Sequence, residues 1–234
     1  LEHLGYSLVA LVIAALIGIP LGLAIGHTGK GTFLVAGLAN ALRALPTLGL
    51  VIVVVLVVSP VLRGELAFVV PSIVVLVVLA VPPILTSTYA GVQGVDPAAR
   101  DAAYGMGMTG NQVLFKVETP CALPLVLSGI RSAMLQIVST ATIAAYVSLG
   151  GLGRYVIDGQ ATINMPGGGY PQMLSGAILV AALAVAIEAV LAGIQRLIVP
   201  RGLAGRYRKR GRAEVLDLKQ AGAEQPEEEL AGAR

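Results

Sequence analysis

Residues 96–131 read DPAARDAAYGMGMTGNQVLFKVETPCALPLVLSGIR, a polar, glycine-dotted island between long apolar runs. Asp96 is a favourable helix N-cap, and Pro97 suits the first helical position, where a missing N–H costs nothing. Ala98 to Tyr104 favours helix, and Gly105 and Gly107 suit its end. Thr109 and Gln112 stand at capping-box spacing and can open a second short helix. Pro120 and Pro124 mark entry into the next apolar run. The stretch is expected to be a helix–turn–helix elbow lying outside the lipid, between two membrane spans.

The composition on either side explains why an elbow is needed. Of 234 residues, 56% are hydrophobic and 12% are charged, about half the charge of a soluble domain. Mean hydropathy is +0.84, and the apolar residues run on unbroken instead of in amphipathic stripes. The chain is therefore read as an all-α integral membrane protein. By the requirement of about 20 apolar residues per crossing, about five spans are expected, near 6–25, 33–58, 66–89, 123–146 and 172–199. The transmembrane domain so defined is 1–200. No basic segment with a small-residue cleavage site precedes the first span, so no removable signal peptide is expected. One cysteine, Cys121, excludes an internal disulfide and a multi-cysteine metal site. It reads as a small apolar filler.

Several features interrupt the spans. Gly18, Gly22 and Gly26 recur at four-residue spacing, a close-packing face for another helix, in the same chain or in a partner. Pro46 follows Arg43 inside the second span, and broken helices at membrane depth tend to line cavities. Arg43, Pro46 and Thr47 are candidates for a translocation path, with a snorkelling Arg43 as the plainer alternative. Ser139, Thr140 and Thr142 in the fourth span are candidates for the same path, although each hydroxyl could instead bond back to its own helix. Arg131 and Glu188 lie deep in the fourth and fifth spans. Unpaired charge is costly there, so the two are expected to face the bundle interior and share a pair or polar network. Residues 148–171 form a glycine-rich loop with no span-length apolar run.

Gly105-x-Gly107-x-x-Gly110 matches a dinucleotide fingerprint in letters only. No βαβ pattern surrounds it, so it is not read as a nucleotide site. No Walker sequence, nucleophile–base pair or metal-ligand cluster is present. No catalytic role, metal, cofactor or nucleic-acid partner is expected.

The elbow resembles the EAA loop of ABC-importer permeases, whose pattern is EAA, three residues, Gly, nine residues, then I-x-L-P. Here Asp101-Ala102-Ala103 is followed at that spacing by Gly107 and by Val117-Glu118-Thr119-Pro120, with Asp for Glu, Val for Ile and Thr for Leu. The wording GMGMTGNQVLFKVETPCALPLVLSGIRSA looks most like permeases of the glycine betaine, carnitine and choline branch. The resemblance runs nearly to Leu203. It implies a MetI-like type I importer fold in which 96–120 is the coupling loop. The ATPase would be met by Asp101, Ala102, Ala103, Gly107, Met108 and Pro120. It also implies an ATPase subunit that carries the hydrolysis, an extracytoplasmic substrate-binding protein facing the glycine-rich loop, and a second permease subunit, identical or sister. The solute would be an osmoprotectant such as glycine betaine, carnitine, choline or proline, with methionine or another polar amino acid as the alternative. A gradient-driven secondary transporter is the other class; it should carry inverted repeats and intramembrane carboxylates, and no repeat is visible.

Arg201, Arg206, Arg208, Lys209, Arg210 and Arg212 directly follow the last span. Such a cluster marks the cytoplasmic side and suits anionic lipid. The acidic stretch 224–229 is expected to be disordered, within a tail of 201–234. With five spans, the N-terminus is then outside the bacterial plasma membrane, and the elbow and C-terminus are cytoplasmic.

Overall fold

The computed structural model describes residues 2–147, 149–166 and 168–199, without the side chains of Leu34, Ala36, Leu38 and Arg43. The tail of 201–234, with its basic cluster and acidic end, lies outside the described residues. Residues up to Gln195 form one compact unit.

The described residues are helical, without strands. Four stretches are long and apolar enough to cross a membrane. The first is α1 (Glu2–Thr28). Two shorter helices follow, α2 (Thr32–Ala44) and α3 (Thr47–Val58). Then come α4 (Leu66–Gln93), the elbow helices α5 (Pro97–Gly105) and α6 (Gly110–Val113), and α7 (Thr119–Ala144). A short helix α8 (Gly153–Ala161) precedes α9 (Tyr170–Ile198). Where about five spans were expected, four helices are long enough to cross, and the second expected span is two shorter helices separated at Leu45–Pro46. Pro46 has no N–H to give to a continuing ladder, and the residue before a proline is pushed out of the helical region. Leu45 accordingly has φ −72° and ψ 132°.

α4 is the axis, packed on α1 and on α7. In lipid, water does not drive apolar faces together, so helices associate through close packing of small residues. The glycine face of α1 serves this purpose within the chain. A Cβ on Gly22 would stand 2.6 Å from the Thr88 Cβ, and one on Gly26 would stand 2.6 Å from the Val92 Cβ. The core above them is built from Ala10, Ala14, Leu76, Ala80, Ile84, Ala133 and Ile137. α9 is different. Gly176 is its only buried residue, seated against Tyr155 and Val156 of α8.

Candidate functional site

The elbow forms as its capping residues dictate. The Asp96 carboxylate accepts from the Ala98 N–H at 3.0 Å, and Thr109 and Gln112 close a capping box. Between them Gly107 has φ +82°, a left-handed conformation that a side chain would strain. Asp101, Ala102, Gly107 and Pro120 are exposed, and Met108 is half-buried. Ala103 departs from expectation. It is 1% exposed and packs inward, so the small surface expected from the alanine pair is Ala102 alone. Neighbours on a helix are turned by about 100°, and here that turn divides Ala102 from Ala103 at the edge of the buried side. Exposed Tyr104 and Met106 complete the outer side of the elbow.

The helix leaves the elbow through a π turn, Leu114–Glu118, whose wider ladder Thr119 closes by donating its hydroxyl to the Leu114 carbonyl. Such turns re-aim side chains and are frequent at functional sites. Here the turn delivers Glu118 inward, where its side chain is 2% exposed. Glu118 Oε2 lies 2.6 Å from His27 Nδ1 in the last turn of α1, and Oε1 lies 2.7 Å from Arg100 Nε on α5. Arg100 Nη2 also donates to the Val92 carbonyl at the end of α4, at 2.6 Å. Three elements therefore meet at one carboxylate and α4 joins them through Arg100, a site that sequence reasoning missed. Glu118 borders the elbow rather than sitting deep in a span, and nothing in the spacing announces a π turn.

A cavity of about 230 Å³ lies among the α2–α3 break, α4 and α7, lined by Leu42, Leu45, Thr47, Leu79, Pro82, Pro83, Ser132 and Gln136. Each element offers polarity by default. The first N–H groups of α3 have no acceptor within the helix. Pro82 and Pro83 leave carbonyls of the preceding turn without donors, and the Thr86 hydroxyl bonds the Pro82 carbonyl at 2.8 Å. The volume is below that of pockets for drug-sized molecules and suits a small solute. Of the residues expected on a path, Thr47 lines this cavity and Pro46 adjoins it; the Arg43 side chain lies outside the described residues.

Two of the three hydroxyls of α7 bond back to their own helix. Ser139 bonds the carbonyls of Leu135 and Gln136, and Thr142 bonds that of Val138. Thr140 is buried and accepts from Gln136 Nε2 at 3.4 Å. At about 100° per residue, Ser139 and Thr142 stand one turn apart on one side of α7, and Thr140 is turned away from them. From α7 the cavity is lined by Ser132 and Gln136, one turn apart, and exposed Ser139 continues that face one turn beyond Gln136; that repeat was the available signal.

Arg131 and Glu188 come together. Arg131 Nη2 donates to Glu188 Oε1, and Nη1 donates to Gln195 Oε1 at 2.5 Å. Gln195 Nε2 returns a hydrogen bond to the Pro124 carbonyl at 3.0 Å. The two charged side chains remain 29% and 33% exposed, so the pair lies at the seam of α7 and α9 and is not enclosed.

Residues 18–202 match the family model for the binding-protein-dependent transport system inner membrane component. The glycine betaine/carnitine/choline transport system permease protein OpuCB of Bacillus subtilis (strain 168) is 36% identical over 205 residues, 87% of this chain and 88% of the relative. The osmoprotectant import permease protein OsmW of Salmonella typhimurium (strain LT2) is 30% identical over 203 residues, covering 86% and 91%. Among solved structures, a chain of the inward-facing MetNI methionine ABC transporter superposes with a TM-score of 0.73 at 22% identity, over 85% of this chain and 94% of that one.

Proposed function

Because the chain belongs to the inner-membrane-component family of binding-protein-dependent transport systems, and is a permease subunit of an ABC importer rather than its ATPase, we propose that its solute is an osmoprotectant of the betaine, carnitine and choline class. The observation that carries this is the extent of similarity to the B. subtilis permease, 36% identity along 88% of its length. The cavity agrees in kind. Its side-chain polarity is neutral, from Thr47, Ser132 and Gln136, which suits brief passage of a small zwitterion or cation. Quaternary ammonium groups are tightly held by aromatic cages, and the chain has no Trp and three Phe. Tight recognition is therefore assigned to the extracytoplasmic binding protein.

In this reading the elbow faces the cytoplasm and docks on the ATPase through Asp101, Ala102, Tyr104 and Met106, with Met108, Gly107 and Pro120 fixing its turns. The C-terminus is cytoplasmic, the N-terminus is outside, and the basic residues after Pro200 rest on anionic lipid. A second permease, identical or sister, completes the pathway. ATP-driven closure of the ATPases displaces the elbow, and the break at Leu45–Pro46 and the Pro82–Pro83 kink let the cavity open alternately to either side.

Reconstitution with the ATPase and binding protein tests this. ATP-dependent accumulation of labelled glycine betaine, carnitine or choline that is indifferent to an ionophore is expected. Uptake that proceeds without ATP and collapses with the ionophore would overturn the importer reading. ATP-driven uptake of methionine but of none of the three would overturn the solute class.

A further inference from the structure

We propose that Glu118, clamped by Arg100 and His27, is a positioning residue that makes the elbow, the last turn of α1 and the start of α7 move as one body. The inference rests on the reading of the elbow as the ATPase coupling element. It begins from how little else holds α5. Ala103 is the only buried residue of that helix, so one methyl group and the Arg100 contacts attach it to the spans. An elbow attached by Ala103 alone could tilt without carrying a span with it.

The clamp supplies direction as well as attachment. Glu118 is the only buried carboxylate among the described residues, and a buried carboxylate must keep its partners to offset lost hydration. Its two oxygens are divided between two elements, 2.6 Å from His27 Nδ1 and 2.7 Å from Arg100 Nε. Arg100 reaches on to the Val92 carbonyl, and Gly26, beside His27, is pressed against Val92. A displacement of α5 thus meets the π turn through the Arg100–Glu118 pair, which cannot be broken without stranding a charge, and meets α1 and α4 through His27 and the Val92 carbonyl. An apolar contact would slide; a charge pair at 2.7 Å resists separation. The π turn is what places the carboxylate there. A buried ion pair is weak evidence for stability and better explained by a geometric duty.

The test uses the full complex of permease, ATPase and binding protein in liposomes, and reads uptake per ATP hydrolysed. Glu118→Gln keeps the shape and removes the charge. Arg100→Gln removes the other half. Each is expected to retain the ATPase and most of its hydrolysis, while uptake per ATP falls by about tenfold, the upper part of the range for residues that carry coupling. His27→Asn, at a partly exposed position, is expected to lower it by roughly threefold. Unchanged uptake per ATP in both Glu118→Gln and Arg100→Gln would overturn the proposal. So would loss of ATPase co-purification in either, because the clamp would then only shape the docking face. Should Glu118→Gln fail to accumulate, the doubly substituted Glu118→Gln/Arg100→Gln chain strands no charge. Wild-type coupling in that chain overturns the proposal, and if that chain too is absent, wild-type coupling in His27→Asn overturns it. Ala102→Asp on the exposed face separates the two readings. If it binds and drives the ATPase normally, the elbow is not the docking element, whatever Glu118 does.

Discussion

The charge cluster under the elbow and the one between α7 and α9 hold their charges by opposite means. Glu118 is enclosed, 2% exposed, and divides its oxygens between α1 and α5. Arg131 and Glu188 are each about a third exposed and join only two helices, with Gln195 as an adjunct. The first cluster ties the elbow helix to spans that it otherwise touches little. The second pins the single helix that the bundle hardly buries. The difference is one of duty. Enclosure fixes a joint, whereas an open pair at a helix seam attaches a neighbour and leaves it some freedom.

The largest expected effect follows from enclosure. Glu118→Leu strands Arg100 and should cost about 3–5 kcal/mol of permease stability, the penalty for breaking a buried pair from one side. Equilibrium unfolding in mixed micelles measures it. Ala103→Asp, which inserts an unpartnered charge at a 1% exposed position, should fall in the same class. A loss below that of Glu188→Leu would erase the distinction between the two clusters.

Next is the uncharged contact beside the enclosed cluster. Gly26 lets α1 reach Val92, with a hypothetical Cβ 2.6 Å from that residue's Cβ. Gly26→Val should cost about 1–3 kcal/mol by overpacking, and should lower uptake per ATP because His27 moves with it. Gly5→Ala, with nothing within 4 Å, is the control. Equal effects of the two would mean that α1 is not seated by its glycine face.

The open pair should be cheaper to break. Glu188→Leu is expected to cost about 1 kcal/mol, near the usual worth of a polar contact between membrane helices, and Arg131→Leu added to it should restore part of that loss. A cost for Glu188→Leu as large as that of Glu118→Leu would show that the seam is closed in the assembled complex, for instance by a partner subunit.

How far the sequence carried each region follows from the range of the interactions. Asp96, Pro97, Thr109 and Gln112 act within a few residues, and the elbow formed as their spacing required. Pro46 broke its span because its effect is local too. Arg131 and Glu188 were legible as partners because depth makes lone charge costly, whatever the fold. Glu118 was not. Its burial depends on a π turn and on α1 arriving beside α5, and neither leaves a periodic mark. The hydroxyls at 139, 140 and 142 were grouped by nearness in sequence; the helical period carried back from Ser139 reaches Gln136 and Ser132, which line the cavity.

The smallest effect on stability is expected at Ala102, and it bears most directly on what the elbow is for. Ala102 and Ala103 are adjacent and chemically identical, yet one is exposed and the other is sealed against the chain. An aspartate at Ala102 meets water in the isolated permease, so its stability should stay within about 0.5 kcal/mol of the original. Membrane levels should be normal, because no span is touched. In the assembled importer the same carboxylate would enter a protein–protein contact, where an unpaired, desolvated charge is costly. Co-purification of the ATPase and substrate-stimulated hydrolysis should therefore both be lost. Ala102→Ser, small and uncharged, should keep both, which separates charge from the mere presence of a substitution. A stable permease that no longer recruits the ATPase would place docking on the outer side of α5 and the transmitting joint at Glu118 on its inner side. Ala102→Asp importers that transport normally would remove the outer face from the mechanism and leave the enclosed carboxylate as a structural tie alone.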